Sequence, residues 1–350
     1  MSFPKLMIDL KKIKRNITSM LNECDKRGVE LVAVEKLVAG DLQVAQTIVG
    51  AGVTTLADSR IKNLQKLKDI NAKKMLLRIP MQSEIDELVK WVDVCLISEL
   101  ETIKLIDQKA TSPIEIILMI ESGDIREGLH NKETIFKTVE EITKMKYVKL
   151  VGLGTNFACF GATIPSVAKM HDMVALKREL EDTFKISIPT ISAGNSSHIS
   201  IWDDPEIPNE INQIRSGAAI LMGFGLNDEP IPFLEMNAFT LQAEVVEVQV
   251  KPSASWGQKG LDAFGHEKHF EDIGDRTKAI IAIGRQDCPN EDMIPVDSNI
   301  QVLGQSSDHT ILDITDSNIK YRVGDIIEFN LGYIGVLSCI TTEFVDTDYK

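Results

Sequence analysis

The sequence predicts an α/β chain, a (β/α)8 barrel of the TIM type over residues 10–230 followed by a mainly β domain made of residues 231–350 with residues 1–9. Two observations carry this. From about residue 30 to 225, eight short apolar runs alternate with amphipathic stretches of helical period. After about residue 235 the helical stretches stop, and β-rich runs separated by turn residues replace them. Apolar runs joined by helices read as βα units on a parallel sheet, and eight of them fit a closed barrel. An open sheet with a dinucleotide fingerprint fails, because no G-x-G-x-x-G follows the first run, which leads into Val34-Glu-Lys-Leu.

In chain order, a run at Leu6–Leu10 precedes a long helical pattern and is a candidate to join the β domain. The eight barrel runs are Glu30–Val34, Thr54–Ala57, Lys74–Ile79, Val92–Ile97, Ile114–Ile120, Val148–Leu153, Pro189–Ser192 and Ala218–Met222. Helical patterns lie between them at Asp41–Gly50, Ser59–Ile70, Glu84–Trp91, Glu99–Lys109, Lys132–Met145 and Ser166–Phe184. The β domain shows runs at Thr240–Val250, Ala279–Ile283, Ile300–Leu303, Thr310–Ile314 and Asp325–Phe329, with no long helix.

With 350 residues, 43% of them apolar, the chain has ample material for a core. Its 38 Lys and Arg against 52 Asp and Glu leave a net charge of −14, which disfavours nucleic acid and anionic membranes as partners. Five scattered cysteines with no C-x-x-C pair argue against a disulfide framework or a metal cluster. No secretory h-region and no run of about 18 apolar residues is present, so the expected location is the cytoplasm.

Working groups of such a barrel lie at the C-terminal ends of its strands. Lys36 stands two residues beyond the first run; alone, it reads as a solvated loop charge. Asn195-Ser196-Ser follows the seventh run, and Arg215-Ser-Gly217-Ala218 leads into the eighth. Small residues and free N–H groups there form a phosphate cup, although Gly-Asn-Ser-Ser alone also reads as a capped turn.

Taken together, these segments resemble the alanine racemase-type (fold type III) pyridoxal-phosphate enzymes, and most closely their ornithine racemase branch, over essentially the full length. The resemblance implies that Lys36, in Val34-Glu-Lys36, carries pyridoxal phosphate. It places Asn156, in Thr155-Asn-Phe-Ala158, where the family has a histidine against the pyridine ring. It puts Asn195, Ser196, Gly217, Ala218 and Tyr333 around the phosphate, Arg215 on the pyridine nitrogen and Arg126 near the cofactor phenolate. It further implies a homodimer in which each β domain, through a segment here read as Ser306-Ser-Asp308-His309, contributes to the partner subunit's active site.

Departures from the family are specific. Met119 stands where a modified lysine is common, Lys36 is followed by Leu-Val-Ala-Gly without a tyrosine, and Phe264 fills the place of a catalytic tyrosine. The second acid/base, opposite Lys36, is therefore sought among Cys288, Asp287, Asp308, His309, His266 and His269, with His309 and Cys288 ranked first. An arginine on the ring nitrogen hydrogen-bonds without giving up a proton, which suits a racemase better than a transaminase. The expected activity is two-base racemisation of a small amino acid, ornithine or another basic one, with Asp124, Asp262 or Asp287 as partners for a distal ammonium. Open alternatives are a broad-specificity or alanine racemase, a pyridoxal-phosphate lyase (aldolase or dehydratase), and a non-catalytic cofactor carrier. No metal site is assigned.

Overall fold

The chain enters through β1 (Lys5–Ile8) and α1 (Leu10–Arg27). Eight parallel strands then close into a barrel: β2 (Glu30–Val34), β3 (Thr55–Asp58), β4 (Lys73–Leu76), β5 (Val94–Ile97), β6 (Ile114–Met119), β7 (Val148–Thr155), β8 (Thr190–Ala193) and β9 (Gln213–Ser216). The intervening helices are α2 (Leu42–Gly50), α3 (Ile61–Lys66), α4 (Ile85–Trp91), α5 (Leu100–Lys109), α6 (Lys132–Thr143) and α7 (Val167–Phe184), with the short α8 (Ala218–Met222) after β9. Closure is made by β9 beside β2, in register from Glu30 against Gln213 to Ala33 against Ser216. The computed structural model describes residues 2–262 and 264–350.

Strand alternation divides the barrel core in two. Val32, Val34, Ala57, Met75, Val94, Leu96, Ile117 and Met119 pack with one another inside the barrel. Their sequence neighbours Cys95, Ile97, Ile116 and Leu118 pack outward with helix residues such as Ile85, Leu88, Ile103 and Val139. Side-chain caps fix where helices start: Asp41 accepts the N–H groups of Gln43 and Val44, and Asn131 accepts that of Thr134.

One expected strand is a helix. Ala218–Met222 forms α8, between Gly217 at its N-cap and Gly223 in the left-handed region (φ 84). The eighth strand is instead the segment just before it, which carries Arg215. A five-residue apolar run does not separate helix from strand by periodicity, and the flanking glycines were the informative signal.

The remaining elements are β10 (Phe239–Pro252), β11 (Asp275–Ile281), β12 (Met293–Pro295), β13 (Gln301–Gln305), β14 (Thr310–Asp313), β15 (Ile326–Leu331), α9 (Tyr333–Thr341) and β16 (Asp346–Tyr349). The sheet runs β12-β15-β10-β11-β14-β13, and β1 joins it by pairing with β10 and β16. Helix α9 is an addition to the sequence reading, which expected no long helix in this domain.

Two compact units result, residues 10–236 and residues 2–9 with 237–350. Residues 231–236, expected in the β domain, belong to the barrel unit. Asn16 of α1 receives the Glu235 N–H (2.6 Å) and donates to the Glu235 carbonyl (2.8 Å), Arg15 pairs with the Glu235 carboxylate, and Ile231 N–H bonds to Gly223 (2.9 Å). Among the described residues no helix is long and apolar enough to cross a membrane.

Candidate active site

Lys36 opens a single 3-10 turn, Lys36–Val38, directly beyond β2. The turn ends with Ala39 and Gly40 at positive φ (50 and 67). A side chain at Gly40 would meet the Asn63 carbonyl at 2.8 Å, so glycine lets the turn close against α3. The Lys36 side chain is open to solvent at the barrel mouth. Even so, desolvation by the surrounding walls lowers its pKa; Cys159, Asp58 and Glu127 oppose that shift and Arg126 adds to it.

Arg215 is nearly fully buried, at 3% exposure. Its guanidinium ties three strand ends together, donating to Ser192 O (2.9 Å) and Oγ (2.6 Å), to Thr155 O (2.7 Å) and to Asn156 Oδ1 (2.8 Å). Every one of those acceptors is neutral. Burial, reinforced by Arg126 and opposed by Glu127, lowers its pKa to about 10, so it stays a cation at neutral pH.

The loops after β6 and β7 are clasped to each other. Glu121 accepts the N–H groups of Gly123, Ile125 (3.0 Å) and Arg126 (3.1 Å). Buried Asp124 accepts those of Cys159 (3.1 Å) and Phe160 (3.0 Å). Thr163 Oγ1 donates to Gly123 O (2.6 Å), and Lys169 donates to Ser122 O. This clasp holds Arg126 so that it forks onto Glu127 and donates from Nη1 to Cys159 Sγ (2.8 Å). Asn156 Nδ2 in turn donates to Glu127 Oε1.

The segments expected around a phosphate meet at the ends of β8 and β9. Ser196 Oγ lies 3.1 Å from Ser216 Oγ and accepts the Ala219 N–H (3.2 Å). Asn195 is committed to structure: Oδ1 caps the turn Ser196–Ile201 through Ser197 N–H, and Nδ2 donates to Phe157 O (2.7 Å). Gly217 lies close to β2, where an added Cβ would come within 3.1 Å of Val34 Cβ and O. Ala218 opens α8, whose first-turn N–H groups have no partner within the helix. Lys36, Arg126, Asn156, Asn195, Ser196, Arg215, Gly217 and Ala218 thus all belong to the C-terminal ends of the barrel strands or the loops just beyond.

Tyr333, Cys288 and His309 belong to the β unit. Tyr333 is the first residue of α9. Cys288 is fully buried, and its thiol pKa is pushed far up, first by its hydrogen bond with Cys339 and then by burial. His309 ends the β13–β14 turn with its side chain half exposed, its Nδ1 3.2 Å from Asp308 Oδ1. The three acids considered for a distal ammonium are engaged elsewhere. Asp124 holds the two loops, Asp262 accepts the N–H groups of Phe264 and His266, and Asp287 accepts from Thr342 Oγ1 (2.9 Å).

Several groups escaped the sequence reading. Glu127 directly follows Arg126, but an acid next to an arginine is too common to signal anything. Ser192 and Cys159 reach the arginines only through the barrel's closure. His198, at 2% exposure, and Glu35, fully buried beside Lys36, had no local pattern to mark them.

The sequence profile of the alanine racemase N-terminal domain matches residues 8–224. The chain is 38% identical to ornithine racemase of Acetoanaerobium sticklandii, covering 99% of each chain. It is 39% identical to lysine racemase of Thermotoga maritima, covering 100% of this chain and 99% of that one. Among solved structures it resembles alanine racemase of Clostridium difficile 630, with TM-score 0.77, 22% identity, and coverage of 99% of this chain and 95% of that one. Alanine racemase of Bartonella henselae with covalently bound pyridoxal phosphate gives TM-score 0.75 and 18% identity over the whole of both chains. D-threonine aldolase of Filomicrobium marinum gives TM-score 0.75 and 14% identity, covering 97% of this chain and 88% of that one, so the fold by itself does not choose between racemase and aldolase. The profile match over most of the barrel and the two full-length relatives do choose a lineage: the chain belongs to the alanine racemase family.

Proposed function

We propose that this protein is a pyridoxal-phosphate-dependent amino-acid racemase acting on ornithine, lysine or a similar basic amino acid. The observation that carries the reading is identity of 38% and 39%, end to end, with two relatives named for those substrates. The donor set fits the cofactor. Lys36 is an amine at the barrel mouth whose proton is more easily lost than usual. Ser196 and the first turn of α8 suit a phosphate, and Arg215 is a buried cation whose protein contacts are all neutral. Lys36 would hold the cofactor, Ser196, Gly217 and Ala218 its phosphate, Arg215 its ring nitrogen and Arg126 its phenolate, with Asn156 beside the ring and Tyr333 from the β unit.

When bound, pyridoxal phosphate supplies an electron sink that acidifies the α-hydrogen of an attached amino acid. Lys36 is then the group that moves a proton at the α-carbon from one side. Arg215 donates a hydrogen bond and keeps its own proton, which favours return of a proton to carbon over transamination. The proton on the other side is assigned to the β unit, and there His309 is the better candidate. Cys288 is buried against Cys339 and holds its proton tightly.

The working unit in this reading is a cytoplasmic homodimer in which β units are shared between sites. In support, the connection between β10 and β11 exposes Trp256 (81%), Leu261 (66%) and Ile273 (60%), more apolar surface than a lone unit gains from. A non-catalytic carrier would leave the whole β unit without a task.

The test is chiral chromatography after incubating protein and cofactor with each enantiomer of ornithine, lysine, arginine and alanine. Equal amounts of both enantiomers should form from either basic starting material, and Lys36→Ala should lose both turnover and the visible absorbance of bound cofactor. No inversion of any basic amino acid by cofactor-loaded protein refutes the reading.

A further inference from the structure

We infer that Glu127 and Asn156 are a pair of positioning residues that join Arg126 and Arg215 into one hydrogen-bonded line across the barrel mouth and set the charge balance around Lys36. This inference deepens the racemase reading and rests on it for its catalytic consequences.

Two guanidiniums share this mouth, and their charges repel. Arg215 has no anion among its hydrogen-bond partners; all four contacts go to carbonyl, hydroxyl and amide oxygens. A buried cation in that position needs compensation within reach. Glu127 supplies it at one remove. A primary amide has one accepting and one donating end, and Asn156 uses both: Oδ1 takes Arg215 Nη2 at 2.8 Å and Nδ2 gives to Glu127 Oε1. With a cation on one side and a carboxylate on the other, only one orientation of that amide satisfies both.

Glu127 is itself fixed. Arg126 forks onto both of its oxygens. The loop can bring it there because Gly128, at φ 131, passes so close to β6 that a Cβ would lie 2.5 Å from Glu121 N. The line therefore runs Arg215–Asn156–Glu127–Arg126 and ends on Cys159 Sγ, 2.8 Å from Arg126 Nη1. Lys36 feels both charged ends: Arg126 lowers its pKa, and Glu127, Cys159 and Asp58 raise it.

The first experiment uses cofactor-free protein and measures reductive methylation of Lys36 by mass spectrometry across pH. In Glu127→Gln the anion is gone while Arg126 remains, so the half-reaction point should move to lower pH. A merely structural role predicts the reverse, since a loosened, wetter mouth would move it up toward the ordinary lysine value. The second experiment uses loaded enzyme. Glu127→Gln and Asn156→Ala should each slow racemisation about tenfold to a hundredfold, the worth of one charge-assisted hydrogen bond. The double variant should lose no more than the worse single one, because both break the same line.

An upward or absent shift in Glu127→Gln overturns the inference, as do losses that multiply in the double variant. The methylation readout needs no turnover. If wild-type protein racemises nothing while the shift to lower pH is still seen, the racemase reading fails and the charge line stands.

Discussion

His198 makes the barrel unit acid-sensitive, and the size of the effect follows from its burial. It lies in the turn Ser196–Ile201 at 2% exposure, with Nδ1 buried and without a hydrogen-bond partner. Desolvation first, and then the nearby Arg215 charge, lowers its pKa from 6.5 to about 4. The unfolded chain therefore binds a proton between those two values that the folded chain refuses. Stability from this group is intact above the unfolded value and falls as the pH drops toward the folded one. A gap of 6.5 against about 4, at 1.36 kcal/mol per unit, amounts to roughly 3 kcal/mol in full and about 2 kcal/mol by about pH 5. That is a substantial share of the 5–15 kcal/mol on the order of which folded proteins are stable. The assay is urea unfolding of wild type and His198→Gln, followed by far-ultraviolet circular dichroism at about pH 7.5 and about pH 5. The variant starts from a different stability, so the comparison is of slopes with pH. Wild type should lose about 2 kcal/mol more than the variant across that interval. Equal losses would show that His198 is not held neutral by burial.

Glu35 acts with the opposite sign. Both its carboxyl oxygens are buried without a hydrogen-bond partner, and burial, then Asp58 and Asp41, raises its pKa well above the carboxylate range. Its contribution is complete below the unfolded value and is lost as the pH rises from there through the folded value, so Glu35→Gln should lessen the fall in stability over that interval; denaturation midpoints at rising pH check this, and parallel profiles count against it. The shared-site dimer is tested by complementation between inactive Lys36→Ala and inactive His309→Ala. Mixed dimers should recover at most about a quarter of wild-type activity, by random pairing of two-fold sites. An active monomer, or no recovery once subunit exchange is confirmed, refutes sharing.

Most of the barrel was legible in the sequence because its strands are short, apolar and bounded by capped helices, as at Asp41 and Asn131. The eighth strand was misplaced for a physical reason. Gln213-Ile-Arg-Ser carries little apolar character, since its buried positions include the polar Gln213, Arg215 and Ser216; Arg215 and Ser216 serve the mouth, and Gln213 donates to Glu30 at the start of β2. The more apolar Ala218–Met222 beside it drew the assignment instead. The unit boundary slipped for a related reason: the packing of residues 231–236 against α1 depends on Asn16 and Arg15, which no local pattern ties to Glu235. At the site, Lys36, Arg215 and Ser196 stood in recognisable segments. Glu127 and Ser192 did not, because what gives them a role is closure of β7, β8 and β9 around Arg215.

The placement of charge in the barrel unit also bears on which group must come from elsewhere. Inverting a stereocentre through two proton transfers needs an acid/base on each side of the α-carbon. Lys36 supplies one. Several ionisable side chains at the mouth are engaged: Glu127 with Arg126 and Asn156, Asp124 with two backbone N–H groups, and Arg215 with four acceptors. An acid locked by two or more donors is a poor proton shuttle, because each transfer must break those bonds. The β unit offers a different kind of group. His309 closes the turn between β13 and β14 with its ring half exposed, and its Nδ1 lies against the Asp308 carboxylate. A carboxylate on Nδ1 fixes the tautomer and leaves Nε2 to exchange a proton. The turn is held by the Arg285 N–H to Ser306 O and the Gln286 N–H to Ser307 O, both 3.0 Å, and by Gly284, where any side chain would collide with Asp308 N at 2.2 Å. In the proposed reaction, a turn that presents an exposed imidazole beside a carboxylate would suit the second proton transfer, whereas Cys288 is buried in the connection between β11 and β12.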